Sequence, residues 1–104
     1  MRKVRILDEA AQEAVEAAAW YELQRPGLGT EFEHAVEAAL DLLEAEIVPF
    51  TSMSGVAGRR GAKRLILKRF PYDVIVSERI DELIVVAFAH QSRRPGYWRT
   101  RQRS

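Results

Sequence analysis

Residues 83–90 have the sequence LIVVAFAH, and residues 91–104 continue it as QSRRPGYWRTRQRS. The first stretch is β-branched, aromatic and apolar at successive positions, which predicts a strand buried on both faces of a sheet. The second stretch places two aromatic residues and five arginines directly behind His90. Folding alone does not require such a cluster. The basic tail, about residues 93–104, therefore indicates a partner that carries acidic groups, such as phosphate, nucleic acid or an acidic protein.

Two further strands are predicted just upstream. Residues 63–69 alternate between two faces, a turn at residues 70–72 follows, and residues 74–78 form the next strand. In the first of these strands one face carries Leu65 and Leu67, and the other carries Arg64, Ile66 and Lys68. Strands joined by such short connections are antiparallel, and the continuous apolar run of the last strand favours a central position.

The N-terminal half predicts one short strand and two helices. Residues 3–7 alternate as a strand does, and Asp8 is a predicted N-cap for a helix that ends at about Gln24. After the break RPGLG at residues 25–29, Thr30 and Glu33 have the spacing of a capping box, and an apolar stripe runs on to Ile47 before Pro49. The segment at residues 50–61 is small, polar and glycine-containing, which is typical of a mobile loop.

The resulting order is β-α-α-β-β-β. It predicts an α+β fold in which a helical hairpin packs on one face of a small, mainly antiparallel sheet, with residues 1–104 as a single domain. The chain has no cysteine, which excludes disulfides and cysteine-based zinc sites and fits a reducing cytoplasm. No stretch has the length of a transmembrane helix, so no membrane partner is expected.

No cofactor and no metal are expected either. The second histidine, His34, lies between Glu33 and Glu37 at a spacing typical of a solvated helix face, and the glycines at 55, 58 and 61 fit no nucleotide fingerprint. The net charge of +1 conceals an asymmetry. Residues 1–52 hold four Lys or Arg against eleven Asp or Glu, whereas residues 53–104 hold twelve against four. This split indicates one acidic and one basic face, or simply Glu-rich surface helices and Arg-rich strand ends.

Two interpretations of the C-terminal cluster remain open. In the first, His90 is a general base, Arg93 and Arg94 hold a scissile phosphate, and Tyr97 or Trp98 stacks on a base, which would suit metal-independent RNA cleavage. In the second, His90 ends the strand by bonding to backbone and Trp98 packs on the sheet edge. Arg64 and Lys68, in the strand predicted at residues 63–69, also allow two interpretations. They either extend a binding groove or protect a solvated sheet edge against pairing with another strand. The last residues of the tail are either part of the groove or frayed.

The sequence resembles the RelE/ParE superfamily of bacterial toxins, and most closely its ParE-like, plasmid-stabilisation branch. The similarity covers nearly the whole chain and rests on the order of four segments. These are Trp20-Tyr21-Glu22 with residues 25–29 and Phe32; Arg64; residues 67–72; and Ala89-His90 with residues 93–99. The resemblance implies a small cytoplasmic toxin held inactive by a cognate antitoxin, ParD-like or similar, that folds onto it.

Within the superfamily the resemblance implies two different activities. ParE-like members inhibit DNA gyrase and need no nuclease site, whereas RelE-like members are ribosome-dependent mRNA interferases, metal-independent endoribonucleases. Asp73 stands after Tyr72, where RelE-like nucleases commonly carry an arginine, and a carboxylate there repels phosphate; this favours the gyrase inhibitor, which is not an enzyme. A non-toxic protein-binding domain of the same fold is the third possibility. The nuclease candidates are His90, Arg93, Tyr97, Arg64 and Lys68. The candidates for binding a target or antitoxin are Arg64, Lys68, Arg69, Arg93, Arg94, Tyr97, Trp98 and Arg99.

Overall fold

A computed structural model describes residues 3–46, 51–52, 61–67 and 69–103 of the chain. Its elements are strand β1 (Lys3–Ile6), helices α1 (Asp8–Gln24) and α2 (Leu28–Ala45), strands β2 (Thr51–Ser52), β3 (Ala62–Ile66), β4 (Tyr72–Glu78) and β5 (Glu82–His90), and a C-terminal 3-10 helix (Arg99–Arg103). The strands form one sheet in the order β1-β5-β4-β3-β2. The predicted α+β architecture, with two helices packed on a mainly antiparallel sheet, is confirmed.

Strand β5 is interior, as its continuous apolar sequence predicts. It pairs in parallel with β1, from Lys3 opposite Glu82 to Ile6 opposite Val85, and antiparallel with β4 on its other side. All residues from 83 to 89 are buried, so both faces of this strand are covered. The pairing with β4 shifts register between Ile75 and Val76, a β-bulge that increases the local twist of the sheet.

The N-cap of helix α1 lies one residue earlier than the sequence predicts. Leu7 is its N-cap and makes no side-chain cap bond, so the prediction that Asp8 is the N-cap is wrong. Asp8 instead lies in the first turn with Glu9, where the exposed amide groups favour negative charge. The helix buries a narrow stripe of small residues and one aromatic side chain, namely Ala10, Ala17 and Tyr21.

Helix α2 begins at Leu28, so the predicted start at Thr30 with a capping box to Glu33 is wrong. Gly27 is the N-cap with a left-handed φ of 89°, and no side chain of its own turn caps the helix. The cap comes from α1: the two carboxylate oxygens of Glu22 accept the Gly27 amide at 2.9 Å and the Gly29 amide at 3.0 Å. Glu22 thereby satisfies two amide groups at the start of α2 that have no partner within the helix.

The helices pack closely at Gly29. A Cβ atom at this position would lie 2.5 Å from the Ala18 carbonyl oxygen, so only glycine fits there. Beside it, four aromatic rings connect the hairpin to the sheet: the Tyr21 ring lies 5.3 Å from Phe32 and 4.9 Å from Phe70, and Phe32 lies 5.2 Å from Tyr72. Tilted and edge-on pairs of this kind add to the stabilisation that comes from burial alone.

The segment predicted to be a loop at residues 50–61 contains a short strand. Thr51 pairs with Arg64 and Ser52 with Lys63, because the free edge of β3 offers backbone groups to an adjacent extended segment. The rest of that prediction, residue 50 and residues 53–60, lies outside the described residues, as do Ile47, Pro49 and Lys68. Along the described part of the chain, no helix combines the length and apolar character needed to cross a bilayer.

Candidate functional site

A concavity of about 330 Å³ lies between the sheet and the C-terminal segment. It is lined by side chains of β3, β4 and β5 on one side and by residues 91–98 on the other. Six of the residues singled out in the sequence meet here: Arg64, His90, Arg93, Arg94, Tyr97 and Trp98. Asp73, whose position in the sequence argued against a nuclease, is part of the same wall.

His90 is the last residue of β5 and its ring is held on two sides. Its Nδ1 accepts the Ser92 backbone amide at 3.0 Å and lies 2.7 Å from the Ser92 hydroxyl, while the Tyr72 ring meets it edge-on at 5.0 Å. Since Nδ1 is the acceptor for an amide, the neutral imidazole carries its proton on Nε2. The nitrogen that remains free is therefore a donor, and a neutral His90 offers no free nitrogen to accept a proton from a substrate.

The Tyr97 side chain is hydrogen-bonded to helix α1. Its hydroxyl donates to Glu13 at 2.5 Å, and burial together with the adjacent Glu13 carboxylate raises the pKa of this phenol well above its usual range. The guanidinium of Arg93 covers the ring, with its carbon 3.9 Å from the ring centroid. With one face occupied and the hydroxyl engaged, Tyr97 is placed to hold the C-terminal segment in position.

Glu13 supports the candidate site from helix α1, and the sequence reasoning missed it. Its carboxylate accepts the Tyr97 hydroxyl, Arg101 Nη1 at 2.9 Å and the backbone amide of Phe88 at 3.1 Å. Arg101 Nη1 also lies 3.3 Å from the Val86 carbonyl oxygen. Strand β1 ends opposite Val85. Beyond that point the side chains of Glu13 and Arg101 form hydrogen bonds with the Phe88 amide and the Val86 carbonyl oxygen, which a longer β1 would have paired.

A signal for Glu13 exists in the sequence. It stands three residues after Ala10 and four before Ala17, so it occupies the spacing of the buried stripe of α1 rather than that of the solvent face. A carboxylate on a core-facing stripe needs donors from another element, and the arginine-rich tail is the segment of the chain that is richest in them.

Trp98 belongs to the core. Its side chain is 2% exposed, so the predicted role in contacting a base or a protein partner does not match its placement. Gln102 is also buried, and its carbonyl oxygen accepts Arg79 Nη2 at 2.7 Å. The tail is thus packed and hydrogen-bonded up to this point, and the alternative of a frayed tail is wrong for residues 99–102.

Arg64 and Asp73 face each other across neighbouring strands. Arg64 Nη1 lies 3.8 Å from Asp73 Oδ2, and Gln91 Nε2 donates to Asp73 Oδ1 at 3.1 Å. Asp73 is 9% exposed, whereas the Arg64 side chain is 38% exposed. The Arg64 Nε atom is buried without a hydrogen-bond partner. The Asp73 carboxylate therefore offsets part of the positive charge of this wall.

Two of the predicted binding residues do not line the concavity. Arg69 forms an ion pair with Glu31 of α2, and this contact, followed by that from Arg25, lowers the pKa of the Glu31 carboxyl. Arg99 is exposed and begins the 3-10 helix, where its amide donates to Gly96 at 3.0 Å. Among the described residues, no group of three or more His, Asp or Glu side chains could hold a metal ion.

Comparison with known proteins supports the fold through structure rather than sequence. No protein-family model matches the sequence, and no curated protein matches it. The structure is similar to a solved chain described as "Chromosomal ParDE TA system from P. aeruginosa", with a TM-score of 0.71 over 86% of this chain and 96% of that one. At 17% sequence identity this likeness establishes the fold, and the chain has the ParE-like fold that its sequence resembles.

Proposed function

We propose that this chain is the toxin component of a toxin–antitoxin pair. The observation that carries the proposal is the structural likeness to a chain of a ParDE TA system, which extends over 96% of that chain. The toxin would act in the cytoplasm by inhibiting DNA gyrase, as ParE-like proteins do, and would be neutralised by binding a cognate antitoxin. The alternative is a ribosome-dependent mRNA interferase.

The geometry of the concavity supports the inhibitor over the nuclease. RNA cleavage of this kind needs a group that removes a proton from a hydroxyl and cations that hold the phosphate. His90 presents a donor rather than an acceptor, and the Tyr97 hydroxyl is bound to Glu13. Asp73 places a carboxylate next to Arg64, where it opposes the approach of a phosphate.

The test combines expression without an antitoxin with two assays on purified protein. One measures inhibition of gyrase supercoiling, and the other measures ribosome-dependent mRNA cleavage. His90→Ala is compared with His34→Ala, a change of the same type at an exposed position of α2. We expect growth arrest and gyrase inhibition for the parent and for both variants, with no mRNA cleavage.

The other outcomes each remove one interpretation. Codon-linked mRNA cuts that His90→Ala abolishes and His34→Ala leaves intact would establish the nuclease. Soluble, folded protein without growth arrest would contradict the toxin and leave the protein-binding domain. Gyrase inhibition lost equally in both histidine variants would indicate a general loss of folding, which thermal unfolding of each variant would reveal.

A further inference from the structure

We propose that the concavity binds an acidic side chain of the neutralising protein partner, with the carboxylate held between Arg64 and Arg93. The existence of that partner rests on the proposed function, whereas the chemistry of the site rests on its own residues. The wall holds three arginines and one aspartate, and His90 adds a ring N–H. A site of this composition suits a group with a small, localised negative charge.

Arg64 is incompletely satisfied where it lies. Its only contact of opposite charge among the described residues is Asp73, at a distance longer than a hydrogen bond, and its Nε is buried without a partner. A buried donor without an acceptor destabilises the protein that contains it. With over a third of the side chain exposed, its terminal nitrogens remain available to a second carboxylate.

Arg93 is held in place before any partner binds. Its guanidinium carbon lies 3.9 Å from the centroid of the Tyr97 ring, and the Tyr97 hydroxyl is bound to Glu13, which also accepts the backbone amide of Phe88 in β5. Stacking occupies the face of a guanidinium but leaves its N–H edge free. Within the described part of the chain, Arg93 has no ion pair, so this edge is available to a carboxylate.

A protein carboxylate fits these walls better than nucleic acid does. Single-stranded nucleic acid is bound by exposed aromatic rings on which bases stack, and here Trp98 is buried and the Tyr97 ring is covered by Arg93. Asp73 repels any anion, but it opposes a chain with a phosphate at every nucleotide more than it opposes a single carboxylate, and it can accept an N–H group from a peptide. The forked N–H groups of arginine match the two oxygens of a carboxylate.

Fluorescence anisotropy with labelled probes tests the site on the full chain. The probes are a peptide of four consecutive glutamates with blocked ends, a matched peptide of four glutamines, and a single-stranded RNA oligomer. We expect Arg93→Gln and Arg64→Gln each to weaken binding of the glutamate peptide about tenfold. Asp73→Asn should strengthen it, because this change removes the competing carboxylate.

Lys3→Gln is the matched control, since it removes one positive charge from an exposed residue of β1. Lys3 pairs with Glu82, eight residues of β5 away from His90, which is roughly 26 Å along the strand. We expect its affinity for the glutamate peptide to stay within about twofold of the parent. A loss as large as that of Arg93→Gln would overturn the site and indicate a general effect of net charge.

Three further outcomes separate this proposal from the toxin itself. If RNA binds more tightly than the glutamate peptide and its binding depends on Arg93, the assignment of a carboxylate as the ligand is overturned. Growth arrest by a parent chain that does not bind the peptide would overturn the site but not the toxin. Loss of growth arrest in a folded Arg93→Gln variant would assign the site to the target of the toxin instead and overturn the proposed occupant.

Discussion

Replacing Glu13 by alanine should detach the C-terminal segment from helix α1. The carboxylate receives three donors, from the Phe88 amide, the Tyr97 hydroxyl and Arg101. Alanine offers none of these contacts. The change therefore leaves one backbone amide, one phenol and one guanidinium at the edge of β5 without their common partner.

The expected loss of stability follows from burial. Glu13 and Arg101 side chains are 14% and 19% exposed, so this is a largely desolvated pair. Removing one partner of a buried pair costs about 3–5 kcal/mol, and the residual exposure favours the lower value, about 3 kcal/mol. For a domain of this size that corresponds to a decrease in Tm of roughly 12 °C.

Thermal unfolding followed by circular dichroism measures the global loss, and tryptophan fluorescence in a Trp20→Phe background follows the buried Trp98. The matched control is Glu16→Ala, on the same helix, where the carboxylate only accepts Gln12 Nε2 at 3.2 Å on the surface. The control should change the free energy of unfolding by less than about 0.5 kcal/mol.

A double-mutant cycle isolates the contact with the phenol. Glu13→Ala and Tyr97→Phe, alone and combined, should show a coupling energy of at least about 1 kcal/mol, as interacting neighbours do. The reasoning is refuted if Glu13→Ala and Glu16→Ala unfold at the same temperature, or if the coupling is absent. Either result would mean that other contacts hold the tail, such as the packing of Trp98 and the hydrogen bond from Arg79 to the Gln102 carbonyl oxygen.

Three other predictions follow from the fold. Glu22→Ala should lower the free energy of unfolding in urea by about 1 kcal/mol, because it removes the cap of α2. Thr30→Ala should change it by less than about 0.5 kcal/mol, and equal losses would mean that a capping box at Thr30 stabilises the helix. Gly29→Ala should cost about 1–3 kcal/mol by overpacking against α1, and an unchanged urea midpoint would contradict the close approach. The Tyr97→Phe variant and the parent should show the same phenolate absorbance up to about pH 11, because the pKa of Tyr97 is raised and its phenol stays protonated there. The contribution of the Tyr97 phenol to stability is complete below its unfolded pKa of about 10 and is lost as the pH rises above that value.

The fold was predictable because its signals are local and redundant. Strand β5 is short, rich in β-branched residues and apolar at every position from 83 to 89, which favours a buried strand, and α2 carries an apolar stripe at helical spacing. The errors concern boundaries. The start of α2 was misplaced because its cap comes from Glu22, seven residues before Gly29, and a capping box at Thr30 is the more usual arrangement.

The residues that line the concavity were predicted in part, but their chemistry was not. The order of strands brings Arg64, His90 and Arg93 together, and the sequence indicated this. What each side chain does depends on a single contact: Ser92 fixes the proton of His90, and Glu13 fixes Tyr97. The second contact joins residues 84 positions apart, and pattern reasoning has no means of pairing one glutamate among many with one tyrosine.

The charge asymmetry of the sequence is partly cancelled by the fold. Arg69 and Arg101 of the basic half are bound to Glu31 and Glu13 of the acidic half, so two acidic helices neutralise cations that the sequence assigned to a basic face. Among the described residues, the positive surface that remains is therefore narrower than the number of basic residues suggests. In the described tail its cations without an ion pair are Arg93, Arg94 and Arg99, and two of these line the concavity. If the proposed acidic partner exists, these described cations would attract it to the concavity, so we expect a change at Arg93 to weaken its binding more than an equal change of net charge at Lys3.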